Sequence, residues 1–135
     1  MISASTSINV RFAETDAMGV VYHANYLPWC ECARIKLLES FGANYADMYT
    51  AGIHLPVVEE CLKYKSPAKF GDSVTIVAQI RQKPFARIKV EYEIKVGERI
   101  AATGYTVHVF VNNDGHPIKP PRDFMEKLLS FFDGE

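Results

Sequence analysis

Asp16 is the residue in this chain best placed to do chemistry, because it stands a few positions upstream of a segment that turns abruptly apolar and helical. The run Glu14-Thr15-Asp16-Ala17-Met18-Gly19-Val20-Val21-Tyr22-His23-Ala24-Asn25-Tyr26 leads straight into it. A helix N-terminus exposes unpaired backbone N–H groups at the positive end of the macrodipole, so it can hold a polarised carbonyl oxygen. A carboxylate just before it can attack that carbonyl or activate water against it. Together these parts suit hydrolysis of an activated acyl compound, with neither a metal nor a Ser/His/Asp triad. Glu14 is the only other acid in the run.

The remaining reactive residue types form no comparable arrangement. His54, His108 and His116 show no clustering with Cys, Asp or Glu at metal-ligand spacing, so neither a metal nor a cofactor is expected. Cys30 and Cys32 are two apart on a predicted helix, where their side chains diverge, and three cysteines cannot all pair within one chain. All three read as small apolar residues in a reducing compartment. Glu59 and Glu60 are adjacent on a predicted strand, so they face opposite sides and only one of them can face a site.

The elements that must position Asp16 follow from periodicity. Residues 7–12 alternate as a strand with one buried face, and Gly19 relieves the connecting loop. Asn25 is placed to cap a helix over 26–41, with Pro28 tolerated in its first turn and Gly42 as its stop. The apolar residues of that helix cover more than one stripe and call for burial on most sides. A short helical turn over 45–49 follows, then strands over 55–65, 73–82, 85–96 and 100–111 and a closing amphipathic helix over 123–132. Helices that do not alternate with strands cannot form a doubly wound fold. An antiparallel sheet wrapped around one long central helix, of the α+β class, fits the order.

Length and charge narrow the partners. One domain over 1–135 is expected on length. Fifteen basic and sixteen acidic residues give a net charge of −1, which supplies no broad field for nucleic acid or an anionic membrane. No apolar run approaches the ~20 residues of a membrane span. The start Met1-Ile2-Ser3-Ala4-Ser5-Thr6 lacks the basic and apolar regions of a signal peptide, and the expectation is a cytoplasmic protein.

The segment Thr15 to Tyr26 resembles the entry motif of the 4-hydroxybenzoyl-CoA thioesterase family, in particular its YbgC/FadM-type acyl-CoA thioesterases. Leu55-Pro56-Val57-Val58, Tyr64 with Ser66-Pro67-Ala68, and Phe70-Gly71-Asp72 resemble the same family in the same order. The resemblance implies a hotdog fold and hydrolysis of an acyl-CoA thioester to free acid and coenzyme A. By that match Asp16 is the catalytic nucleophile or general base, and the backbone N–H of His23 points at the thioester oxygen. Tyr22 and Tyr26 become pocket walls, with Asn25 beside them in the substrate pocket. Of the Glu59-Glu60 pair two readings stay open: one carboxylate, assigned to Glu60, serves the substrate pocket from a second subunit, or both are solvent or interface charges. Coenzyme A phosphates call for basic groups: Arg87 and Lys89 share a strand face, and Lys119 and Arg122 lie near the final extended segment, with ordinary solvated charges as the alternative reading of all four. The implied assembly is a homodimer or homotetramer. Two rivals stay open, a hotdog dehydratase and a noncatalytic module that binds acyl thioesters.

Overall fold

The computed structural model describes residues 1–133, and the alternation of strand residues explains how its core forms. Five strands, β1 (Ile2–Asn9), β2 (Val57–Tyr64), β3 (Ser73–Ile80), β4 (Arg87–Val96) and β5 (Arg99–Val109), form one antiparallel sheet in the order β1-β3-β4-β5-β2. On β3 and β4 every second residue is apolar and buried: Val74, Ile76, Ala78 and Ile80, then Ile88, Val90, Tyr92 and Ile94. Against this face lies α1 (Tyr26–Ser40), which buries Tyr26, Trp29, Cys30, Ala33, Leu37 and Leu38 in the same cluster. Spacing of three and four residues puts most of these on one helical stripe. This is the hotdog architecture, an α+β fold with the sheet wrapped around the long helix.

The short α2 (Tyr45–Thr50) is capped by Asn44, whose side chain accepts the Asp47 N–H at 3.1 Å. At the other end α3 (Arg122–Leu129) closes the core through Phe124, whose ring meets Phe110 at 5.0 Å and Phe41 at 5.4 Å, both edge-on. Among the described residues no helix is long and apolar enough to cross a membrane.

Three sequence expectations change. The first strand spans Ile2–Asn9 rather than 7–12, because its Ser- and Thr-rich start pairs with β3 from Ile2↔Ile80 onward, a contact far away in sequence. The chain then coils into a 3₁₀ turn at Phe12–Glu14. Secondly, α1 is not buried on most sides within one chain: Leu27, Arg34 and Ile35 are half-buried, and Glu31, Cys32 and Lys36 are exposed. Thirdly, Asn25 does not cap α1. It has helical φ and ψ of −79° and −12°, because a 3₁₀ turn over His23–Asn25 runs into α1 without a break. Extended backbone, as a cap requires, occurs at Tyr22 instead.

Two close approaches shape the edge strand β2. Gly104 of β5 lies opposite Leu62, and a Cβ there would overlap the Cys61 carbonyl oxygen and come within 2.9 Å of Leu62 Cα. Only glycine lets β2 cross β5 this closely. A register shift between Val57 and Glu59 then sets the phase of the strand, sending Glu60 toward α1 and Glu59 to the outer face.

Candidate active site

Asp16 sits at the tip of a small hairpin built from local hydrogen bonds. Thr15 bridges Val21, the Asp16 N–H donates to the Val20 carbonyl at 2.9 Å, and the Gly19 N–H donates to the Asp16 carbonyl at 3.0 Å. Gly19 has a φ of +76°, a conformation that side chains strain. The Asp16 carboxylate caps this turn through Oδ1, which accepts the Met18 N–H at 2.8 Å. Among the described residues Oδ2 has no partner, and the side chain is exposed. The carboxylate is therefore held by one oxygen and presented by the other.

A cleft of about 450 Å³ opens at this point. Asp16, Tyr22, His23 and Tyr26 line one side, and the end of β2 with Lys65, Ser66 and Pro67 lines the other. The hairpin is stitched to that second wall where the Val21 N–H donates to the Ala68 carbonyl at 2.8 Å. Tyr26 and Tyr64 meet across the cleft edge-on, with ring centroids 5.1 Å apart. Burial pushes the Tyr26 phenol above its ordinary pKa, against the opposing pull of the Ala68 backbone and of Arg99. Both phenols stay neutral at physiological pH, since burial also raises that of Tyr64.

His23 begins the 3₁₀ turn, and among the described residues no acceptor takes its backbone N–H. Its carbonyl accepts the Tyr64 hydroxyl at 3.3 Å, and its ring stacks obliquely on Tyr22 at 4.3 Å. An unsatisfied N–H at the head of a continuous 3₁₀ and α-helical run, with the helix dipole behind it, is the kind of group that can hold a developing oxyanion. Two residues that line the cleft thus carry an unpaired carboxylate oxygen and an unpaired N–H group, a combination able to serve acyl transfer.

Not every expected residue arrives here. The Asn25 side chain points inward and donates from Nδ2 to the Glu14 carbonyl at 2.8 Å, so it braces the turn rather than the pocket. Glu60 lines a neighbouring groove of about 210 Å³ with Leu27, Glu31 and Arg34 on the α1 side of the sheet. Glu59, on the other face, accepts the Tyr105 hydroxyl at 2.8 Å. Arg87 and Lys89 do share a face, but in a separate depression with Lys83 and Phe85, and Lys89 Nζ stands 4.6 Å from the Tyr105 ring centroid. Tyr64 pairs with Ala102 while Lys89 and Arg87 pair with Val107 and Val109, five to seven residues further along β5, or roughly 17–24 Å. Within one chain they line a different depression from the Asp16 cleft. Lys119 and Arg122 do not line the cleft either.

The basic groups beside the cleft are ones that charge spacing did not single out. Lys65 lines it, and Arg99 is anchored by Nη1 bonds to Ser66 Oγ at 2.7 Å and the Pro67 carbonyl at 2.8 Å. The signal for this wall was the Tyr64, Ser66-Pro67-Ala68 pattern, which carried the resemblance but no assigned role. Cys30 is not a competing nucleophile: burial pushes its thiol up to about 12, with Arg34 opposing and Glu60 assisting.

The sequence pattern of the thioesterase-like superfamily matches residues 10–128, and the chain belongs to that family. It is 33% identical over 104 residues to the 1,4-dihydroxy-2-naphthoyl-CoA hydrolase of Nostoc punctiforme, covering 76% of this chain and 70% of that one. Over 69 residues it is 46% identical to the YneP protein of Bacillus subtilis strain 168, covering 51% of this chain. The chain spans about half the length of two of the curated relatives it matches, 50% and 52%. In three dimensions it superimposes on a crystal structure of the DHNA-CoA thioesterase of Staphylococcus aureus with a TM-score of 0.93 at 33% identity, covering 98% of this chain and 93% of that one.

Proposed function

We propose that this protein is an acyl-CoA thioesterase of the YbgC/FadM type. The reading is carried by one observation: Asp16 and His23 line the same cleft, and each carries a group without a partner among the described residues, the Oδ2 of Asp16 and the backbone N–H of His23. Asp16 either attacks the thioester carbon, forming an anhydride that water then cleaves, or removes a proton from water as it attacks. In both routes the carbonyl oxygen becomes an oxyanion held by the His23 N–H, with the helix dipole adding its field. The C–S bond breaks, coenzyme A leaves as a thiolate that takes up a proton, and water supplies the oxygen of the free acid. A thiolate leaves far more readily than an alkoxide near neutral pH, so this reading needs no metal to draw it off.

In this reading Tyr22, Tyr26 and Tyr64 wall the acyl group, and Lys65 and Arg99 meet coenzyme A phosphates at the mouth. Arg87 and Lys89 serve the site of a neighbouring subunit, which makes the working unit a homodimer or a higher homo-oligomer. The exposed edge strand β2, with Val57 and Val58 42% and 49% exposed, supports such pairing. Three free cysteines, Cys30, Cys32 and Cys61, support a cytoplasmic location.

Free-thiol release from a panel of short, long and aromatic acyl-CoA esters tests the proposal. Turnover of at least one class is expected, and no release above buffer from any of them overturns the reading.

A further inference from the structure

Only three polar or charged side chains are buried among the described residues, Glu14, Thr106 and His108, and Glu14 is the one carrying a carboxylate. It is 6% exposed. Burying a charge is costly unless it is well bonded, and an apolar side chain would pack the same space without that cost. The bonds of Glu14 indicate what the charge does there. Its Oε1 accepts the Arg11 N–H at 2.8 Å, and its Oε2 accepts Trp29 Nε1 at 2.9 Å and Arg11 Nη2 at 3.4 Å. Its main-chain carbonyl accepts two more donors, the Tyr22 N–H at 2.9 Å and Asn25 Nδ2 at 2.8 Å.

Those two donors flank His23. Trp29 belongs to the first turns of α1, and Arg11 ends the segment leaving β1. One residue therefore ties together the exit of the first strand, the turn that presents the His23 N–H, and the helix whose dipole lies behind it. Asp16 is only two residues further on.

Resting on the thioesterase reading, we infer that Glu14 is a positioning residue: its side chain clamps to α1 while its carbonyl holds the 22–25 turn, which sets the placement of the His23 N–H relative to the Asp16 carboxylate. Misplacing a reacting group by about 1 Å costs up to 10²-fold in rate, so a strut of this kind acts on kcat and leaves substrate affinity alone.

Two variants test it from opposite ends. Glu14→Gln puts an amide NH₂ against either the Trp29 or the Arg11 N–H, breaking the clamp at α1. Asn25→Ala removes one donor from the Glu14 carbonyl at a half-buried position, so it folds even where the other variant does not. Each is expected to lower kcat by about tenfold or more with KM within twofold, and the double variant to be no slower than the slower single one, because both break the same strut. Amide hydrogen exchange supplies the readout that does not depend on turnover. Protection of the Tyr22 N–H is expected to fall about tenfold in Asn25→Ala, while β3 and β4 amides are unchanged. Wild-type kcat in Asn25→Ala, or unchanged Tyr22 protection in it, overturns the inference. A wild-type enzyme that turns over no acyl-CoA ester overturns the thioesterase reading instead, and the exchange experiment still judges the strut.

Discussion

The Thr106 hydroxyl lies 2.8 Å from His108 Nε2, with both side chains sealed in the core beneath α1. His108 Nδ1 is 3.0 Å from the Leu55 carbonyl, which can only accept, so Nδ1 carries the proton and Nε2 is the acceptor for Thr106. Thr106 Oγ1 in turn accepts the hydrogen bond of the Tyr92 hydroxyl at 2.7 Å, and Tyr92 accepts from Arg34 Nη1 at 3.1 Å. Every hydrogen in this chain is assigned once His108 is neutral. A second proton on His108 would set two donors against each other.

This assignment has a pH consequence. Burial first, and Arg34 second, hold His108 down to about 4, against an ordinary value of 6.5. The unfolded chain binds this proton below pH 6.5 and the folded chain does not until about pH 4, so stability is complete above 6.5 and declines as pH falls between them. The shift corresponds to about 3 kcal/mol across that window. Denaturant midpoints at pH 7.0 and 4.5 are expected to differ in wild type and to draw together in His108→Gln.

Glu14 titrates in a lower window. Burial opposes its charge, but the bonds from the Arg11 N–H, Trp29 and the Arg11 guanidinium outweigh that effect and hold its carboxyl below the usual 4.5. A depressed carboxyl contributes stability above its unfolded pKa and loses it as pH falls through the folded value. The stability gap between wild type and Glu14→Gln is expected to be constant from pH 7 to 5 and to close below 4.5, followed by thermal melts.

Asp16→Asn keeps the Oδ1 acceptor for Met18 and so keeps the turn. It removes the charge on the free oxygen, and kcat is expected to fall by roughly 10²-fold or more with little change in melting temperature. A folded variant with wild-type kcat would sink the mechanism.

Arg87 and Lys89 allow a test of assembly. Asp16→Asn protomers and Arg87→Glu/Lys89→Glu protomers, each impaired alone, are expected to recover roughly a quarter of wild-type activity when unfolded together and refolded as a mixture, since half the dimers are hybrids with one intact site. No recovery would place these cations outside the partner's site.

Gly104→Ala is expected to cost about 3 kcal/mol, because its Cβ meets backbone at Cys61 and Leu62 rather than a movable side chain. Loss of amide protection confined at first to β2 would locate the damage.

What the sequence determined by itself is local. The turn around Asp16 follows from an Asp that can cap its own backbone and a Gly three residues on, and α1 ends within one residue of the expected position because helix signals sit within a turn of each other. The strands β3, β4 and β5 were legible from alternation flanked by turns. Long-range contacts decided the rest. The start of β1 depends on partners in β3, and Asn25 turned from cap to brace because the Glu14 carbonyl approaches it from eleven residues away. Alternation showed that Glu59 and Glu60 must part, but only the pairing of β2 with β5, and its shift after Val57, decided which one faces α1. Arg87 and Lys89 share a face as period-two spacing requires, yet the register of β4 on β5 carries them to the far end of the sheet from Asp16. Glu14 was legible only as a second acid in the motif; its burial and its five accepted hydrogen bonds arise where strand, turn and helix meet, and no spacing along the chain encodes that junction.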